Sequence, residues 1–259
     1  MSRWTCGSTR EKLPEWGGAF PPFPRARELN AEGCLVVPGL IDIHVHLREP
    51  GQEHKETIAT GARAAAAGGF VCVVCMANTS PPLDTPERIQ YVRKRAQEVG
   101  SVEVLPVGAI SKGLAGEEPA PWGALAAAGA VGFSDDGKTT LSETVMRHVL
   151  EWSAEHQRTV AVHCEDPHLS KNGVIHDGTV ARRLGVPGIP PEAEERIIER
   201  DLTLASETGG RLHIQHVSTA KGRRDDPPGE AERSPRDRRG YPPPLHVDRG
   251  GGLGTRPQR

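Results

Sequence analysis

Pro38-Gly39-Leu40-Ile41-Asp42-Ile43-His44-Val45-His46-Leu47-Arg48-Glu49-Pro50-Gly51 reads as a buried β-strand that empties into a polar turn. Side chains alternate faces along a strand, so His44 and His46 point the same way while Ile43, Val45 and Leu47 are expected to pack behind them. Two imidazoles side by side at a strand end form half of a metal site. They also suit a pair of hydrogen-bonded structural histidines, so the rest of the chain has to decide.

Working outward, 259 residues suffice for one α/β barrel or two small domains. A formal net charge of -2 argues against a nucleic-acid partner. Aromatic residues make up 4%, low for a β-sandwich or a single-strand-binding surface. The five cysteines follow no charged-then-apolar leader, which implies reduced thiols and a cytoplasmic location. Cys72 and Cys75 form a C-x-x-C inside the apolar run Phe70–Met76, where residues three apart face opposite sides of a strand, so no clamp is expected there. No apolar run is long enough to span a bilayer, so no membrane partner is expected.

Residues 1–31 read as an irregular arm or the remnant of a small β-domain, broken by Pro14, Pro21, Pro22 and Pro24. A short strand is expected over Cys34–Val37. Then strand and helix patterns alternate. Helix is expected over Glu53–Ala67, closed by Gly68-Gly69, and strand over Phe70–Met76. Thr85 as N-cap and Pro86 at the first helical position open a helix to Gly100. Strand over Val102–Ile110, helix over Pro121–Ala128 and strand over Ala130–Ser134 follow. Next come an amphipathic helix from Leu141 to about Gln157, strand over Thr159–His163, a long polar loop, a helix from about Pro191 to Thr208, and strand over Arg211–Val217. Apolar strands separated by helices point to a parallel sheet wrapped by helices. Repeated βα units with polar residues at strand C-termini favour a (β/α)8 TIM barrel, here with about six βα units over residues 32–222. After Lys221-Gly222 the texture changes to an Arg/Pro/Gly-rich segment with almost no apolar periodicity, so residues 223–259 are expected to be disordered, the product of a shifted reading frame or a truncated gene.

The chemistry concentrates at four strand ends. These give His44, His46 and Arg48; Asp135-Asp136-Gly137-Lys138; His163 with Cys164-Glu165-Asp166; and His213 and His216. Histidines and an aspartate on one barrel rim suit a one- or two-metal hydrolase. Imidazole and carboxylate fit Zn²⁺, and a shared carboxylate can bridge two ions.

Four stretches carry a resemblance: His44-Val45-His46-Leu47-Arg48-Glu49-Pro50-Gly51, Met76-Ala77-Asn78-Thr79-Ser80-Pro81, Phe133-Ser134-Asp135-Asp136-Gly137, and His213-Ile214-Gln215-His216-Val217-Ser218-Thr219-Ala220. Over about Glu32 to Gly222 the chain resembles the bacterial type I dihydroorotases of the amidohydrolase superfamily. The first motif is shared with hydantoinases and allantoinases; the H-x-H-x-R form with F-S-D-D-G is more specific. The resemblance implies that His44 and His46 hold the more buried zinc and His163 and His216 the second. Asp136 would bridge, with Asp135 the competing choice, because adjacent residues face opposite ways. Arg48 and Asn78 would bind the substrate's carboxylate. Ala77 stands where the family usually has proline.

The implied reaction is reversible hydrolysis of dihydroorotate to N-carbamoyl-aspartate in de novo pyrimidine biosynthesis. In the family an aspartate at the end of the eighth strand moves the leaving nitrogen's proton. No residue of this chain is expected in that role, since Asp225, Asp226, Asp237 and Asp248 lack a strand-end context. A hydantoinase- or allantoinase-like hydrolase is the rival, but it would carry a carboxylated lysine where this chain has Asp136; Lys138 lies past the turn. A second rival is a non-catalytic partner of aspartate transcarbamoylase. Such homologues have typically lost metal-site histidines, whereas all four are present here. A homo-oligomer is a further possibility.

Overall fold

The structure, a computed structural model, describes residues 33–222 and the backbone of His246 and Val247. The chain divides into two units, Met1–Pro38 and Gly39–Arg259. In the first, only residues 33–38 are described, and Cys34–Val37 is not a strand. Its short apolar run is solvent-exposed and finds no ladder partner, which a strand needs.

The second unit opens with β1 (Leu40–Val45), α1 (Ile58–Ala67), β2 (Phe70–Cys75), α2 (Pro86–Val99) and β3 (Glu103–Pro106). It continues with α3 (Trp122–Ala128), β4 (Gly132–Phe133), α4 (Glu143–His156) and β5 (Thr159–Val162). The segment read as a polar loop holds α5 (Pro167–Ser170), β6 (Ile175–His176), α6 (Thr179–Leu184) and β7 (Gly188–Ile189), with β6 and β7 paired in parallel. Elements of two to six residues are too short to leave a periodic signature. Then come α7 (Glu192–Thr208), β8 (Leu212–Ile214) and β9 (His246–Val247). The remainder of the 223–259 segment lies outside the described residues.

Helix boundaries follow local chemistry. α1 begins at Ile58, five residues later than the helix expected from Glu53, because Thr57 and Thr60 form a reciprocal capping box there. Pro86 opens α2 as expected, and Gly100 closes it in the left-handed conformation. Ser142 caps α4 through Val145 N, which leaves Leu141 outside the helix and exposed. α7 buries Ile197, Ile198, Asp201, Leu204 and Ala205, the inward stripe of a 3.6-residue repeat.

β1-β2-β3 form one parallel sheet and β4-β5-β8-β9 another. A parallel bridge between Gly108 and Phe133 joins them, with Ser134 N donating to Gly108 O at 2.9 Å. The seven strands of these two sheets therefore follow one another in chain order with no switch point of the kind a doubly wound sheet has. The wall is strongly curled. In a flat sheet, strands about 4.8 Å apart would put residues of β2 and β8 about 19 Å from each other. Instead Gln215 Nε2, just past β8, lies 3.3 Å from Met76 Sδ, just past β2.

The face behind the histidines differs from expectation. Leu47 is buried and Val45 partly so, but Ile43 is 50% exposed, as is much of Ile41. Among the described residues β1 pairs with β2 alone, and α1, which meets Leu47 through Gly61, lies mainly against β2 and α2, so Ile41 and Ile43 stay exposed. Cys72 and Cys75 are buried free thiols, and burial pushes Cys75 up to about 12.

Candidate metal centre

β1 presents His44 and His46 on one side, as its alternation dictates, with their Nε2 atoms 3.2 Å apart. Asp136, three residues past the end of β4, reaches between the strand ends. Its Oδ1 lies 3.6 Å from His44 Nε2 and its Oδ2 3.5 Å from His46 Nε2. The same Oδ1 lies 3.7 Å from His163 Nδ1 at the end of β5 and 3.5 Å from His216 Nε2 past β8. His163 Nδ1 and His216 Nε2 are 3.2 Å apart. Two groups that could hold a metal ion result, His44/His46/Asp136 and Asp136/His163/His216, and Asp136 belongs to both. Ligands at 2.0–2.1 Å in a tetrahedron sit about 3.3 Å from one another. The observed spacings match that figure, so the donors fit a cation of zinc's size.

The adjacent aspartates are now distinguished. Asp135 turns away from the histidines and is 2% exposed. It accepts from Ile110 N at 2.8 Å, Ser111 N at 3.1 Å and Thr140 Oγ1 at 2.9 Å, and also from Ser111 Oγ. Burial raises its pKa against the pull of those donors. Asp136 shows the opposite balance: burial opposes its charge, but His216 and His44 overcome that and hold it well below the usual carboxylate range. Burial also lowers His46 and His163, which favours the neutral imidazole with a lone pair to offer.

Asn78 lies behind this centre. Its Nδ2 donates to Asp136 O at 3.1 Å and Asp136 Oδ2 at 3.2 Å, and both partners can only accept. That fixes the amide's orientation, so Oδ1 faces His46 Nδ1 at 3.0 Å and must accept from it. His46 then carries its proton on Nδ1 and directs the Nε2 lone pair at Asp136 and the ion's position. Both donor hydrogens of Asn78 are thereby used. Arg48 sits two residues past His46, partly buried, in the left-handed conformation at φ 57, and its charge bears on His46. His213 lies inside β8, buried and in register with Ala161, outside both ligand groups.

Several residues that sequence reasoning passed over pin the loops carrying the ligands. Glu49, 5% exposed, accepts from Ile58 N, Tyr91 Oη and Arg95 Nε, tying the turn after His46 to α1 and α2. Thr139 Oγ1 lies 2.9 Å from His163 O and accepts from Glu165 N at 3.0 Å, joining the loop after β4 to the end of β5. Gln215 spans the interior between Ser134 Oγ and Met76 Sδ. Their partners lie 9 to 139 residues away along the chain, beyond the reach of local pattern.

A family model described as Dihydro-orotase-like matches residues 33–222. The chain is 52% identical over 195 residues to the dihydroorotase of Anaeromyxobacter dehalogenans (strain 2CP-C), covering 75% of this chain and 45% of that protein. It is 52% identical over 203 residues to the dihydroorotase of Pelotomaculum thermopropionicum, covering 78% and 47%. The chain thus spans about half the length of the curated relatives it matches. Among solved structures, the L-hydantoinase (dihydropyrimidinase) of Arthrobacter aurescens superposes with a TM-score of 0.65 at 23% identity, over 82% of this chain and 48% of that one. That likeness concerns the fold alone. With its histidine-aspartate cluster inside a match running from residue 33 to residue 222, the chain belongs to the dihydroorotase-like family.

Proposed function

We propose that the chain carries the metal-binding part of a zinc-dependent cyclic amidohydrolase, acting on dihydroorotate and N-carbamoyl-aspartate in cytoplasmic pyrimidine biosynthesis. The observation that carries this reading is Asp136 standing between two histidine pairs, within 3.5–3.7 Å of each ligand nitrogen. His44, His46 and Asp136 would hold one zinc, and Asp136, His163 and His216 a second. The described units would form the first six of a (β/α)8 barrel, which their chain-order winding supports.

Bound there, zinc supplies Lewis acidity towards a carbonyl and an activated water near neutral pH. The chain's residues prepare for that chemistry. Asp136 stays ionised, the neutral His46 and His163 offer lone pairs, and Asn78 holds His46 in the required tautomer. Arg48 offers a charged fork that suits the substrate's carboxylate. Asn78, expected beside it, reaches a substrate only by releasing Asp136. Opening a cyclic amide also requires a proton for the leaving nitrogen. Among the described residues, Asp136 is the carboxylate that joins the histidine groups, and its depressed pKa unfits it as an acid.

The dihydroorotase reading is preferred over a hydantoinase because the chain is 52% identical to a curated dihydroorotase and matches a Dihydro-orotase-like family model over residues 33–222. Asp136 in place of a bridging lysine points the same way. Assaying the full chain with added zinc on dihydroorotate and on hydantoin tests both parts. Zinc-dependent turnover of dihydroorotate alone is expected. Preference for hydantoin would overturn the substrate assignment, and turnover that does not depend on zinc would overturn the metal assignment.

A further inference from the structure

We infer that Glu194 is the positioning residue for the Asp136/His163/His216 half of the centre, a role that rests on reading His216 as a metal ligand. β8 ends its pairing at Ile214, and the last sheet-type bond comes from Gln215 N to Val162 O at 3.1 Å. His216 follows immediately, with φ 35, in the left-handed region that side-chain-bearing residues avoid. The strand ladder no longer holds the backbone there, so another group must. Glu194 supplies it from the first turn of α7. Its Oε1 accepts from Ser218 N and Ser218 Oγ, each at 2.9 Å, and its Oε2 accepts from Thr219 N at 2.7 Å. One carboxylate thus takes three charge-assisted bonds from the two residues that close the His216 turn.

The anchor is itself fixed. Ala193, beside Glu194, is 1% exposed, and its carbonyl accepts from Asp166 N at 2.7 Å. α7 buries Ile197 and Ile198 below it. The far end of the turn packs on the same helix: Thr219 Oγ1 accepts from Gly222 N, and a Cβ on Gly222 would come within 2.7 Å of Ile198 Cδ1. The ligand's turn is therefore held against α7 at both ends, with Glu194 nearer the imidazole. Glu194 makes no such bond to the strand carrying His44 and His46, whose following turn is held by Glu49. The two halves of the centre are positioned by different carboxylates, and they should respond separately.

Cobalt titration of the full chain, followed by its d–d absorption, tests this in the wild type, Glu194→Ala, Glu194→Gln and His216→Ala. The equivalent that His216→Ala removes is expected to bind about 10–100-fold more weakly in Glu194→Ala with an altered d–d band. The other equivalent should be unchanged. Glu194→Gln keeps the size and one acceptor oxygen, so a smaller loss is expected, and it decides alone if the alanine variant does not fold. Equal weakening of both equivalents, or no change in either, would overturn the assignment. Amide exchange at Ser218 and Thr219 in the metal-free wild type and Glu194→Gln separates the clamp from the metal reading. Faster exchange in the variant is expected and unchanged exchange would overturn the clamp, whereas a wild-type chain that binds no cobalt would overturn the metal reading.

Discussion

Replacing Asp135 by alanine should cost the fold more than replacing Asp136, although the two residues are neighbours in one motif. Asp135 is the acceptor for Ile110 N, Ser111 N, Ser111 Oγ and Thr140 Oγ1. Ile110 is 1% exposed and Ser111 0%, so water cannot replace the carboxylate. Each stranded backbone donor costs about 1–3 kcal/mol, and each hydroxyl, which can turn elsewhere, about 0.5–1.5 kcal/mol. Relief of the carboxylate's own burial penalty offsets part of this, leaving about 3–5 kcal/mol. That is a large fraction of the roughly 5–15 kcal/mol that holds a domain folded. Asp135→Asn keeps one oxygen for the two N–H groups and turns its NH2 to hydroxyls that can accept, so about 1–2 kcal/mol is expected. Asp136→Ala removes a carboxylate whose contacts are mainly to the four histidines, and should stay within about 1 kcal/mol of wild type without metal. Urea unfolding of the metal-free proteins at neutral pH, read by circular dichroism, measures all three. A loss below about 1 kcal/mol in Asp135→Ala, or a larger loss in Asp136→Ala, would refute this role for Asp135.

Other expectations follow from single contacts. Burial raises Asp201 to about 6, against the opposing pull of Arg200, while an unfolded aspartate titrates near 3.9. The folded state then holds that proton more tightly, so this group's contribution to stability should be full below about pH 4, fall by up to about 3 kcal/mol as pH rises to about 6, and level off above. Asp201→Asn should flatten that slope, and an unfolding series from pH 4 to 7 in which both proteins keep the same slope would refute the assignment. Gly51 has φ 87 and sits where a Cβ would lie 1.5 Å from Ser80 O. Gly51→Ala should therefore lower stability by about 2–5 kcal/mol in thermal unfolding, combining left-handed strain with overpacking. Asn78→Ala removes the acceptor that sets the His46 tautomer. Zinc affinity of the His44/His46 equivalent should fall about 10–100-fold by competition with a chelator, and unchanged affinity would show that Asn78 does not orient the ligand.

Much of this arrangement is legible in the sequence. Alternation along a strand is enough to put His44 and His46 on one side, and apolar runs spaced by helices anticipate the chain-order wall. The choice between Asp135 and Asp136 is not written locally, because both occupy the same turn. It is settled by Ser111 and Thr140, which Asp135 satisfies from 24 and 5 residues away. The exposure of Ile43 escapes pattern reading for a related reason: alternation tells which residues share a face, not whether another element covers it. β6 and β7, at two residues each, carry no periodicity to detect. Glu194 looks like one of several acidic residues opening a helix, and its partners Ser218 and Thr219 become visible only once α7 and the turn after β8 lie together.

The sharing of Asp136 by two histidine pairs is tested most directly by the zinc content of the purified chain after metal removal and reloading, in wild type and in Asp136→Ala, His44→Ala and His163→Ala. Two equivalents in the wild type, one in each histidine variant and none in Asp136→Ala are expected from a carboxylate that belongs to both groups. Full zinc content in a folded Asp136→Ala protein would contradict it.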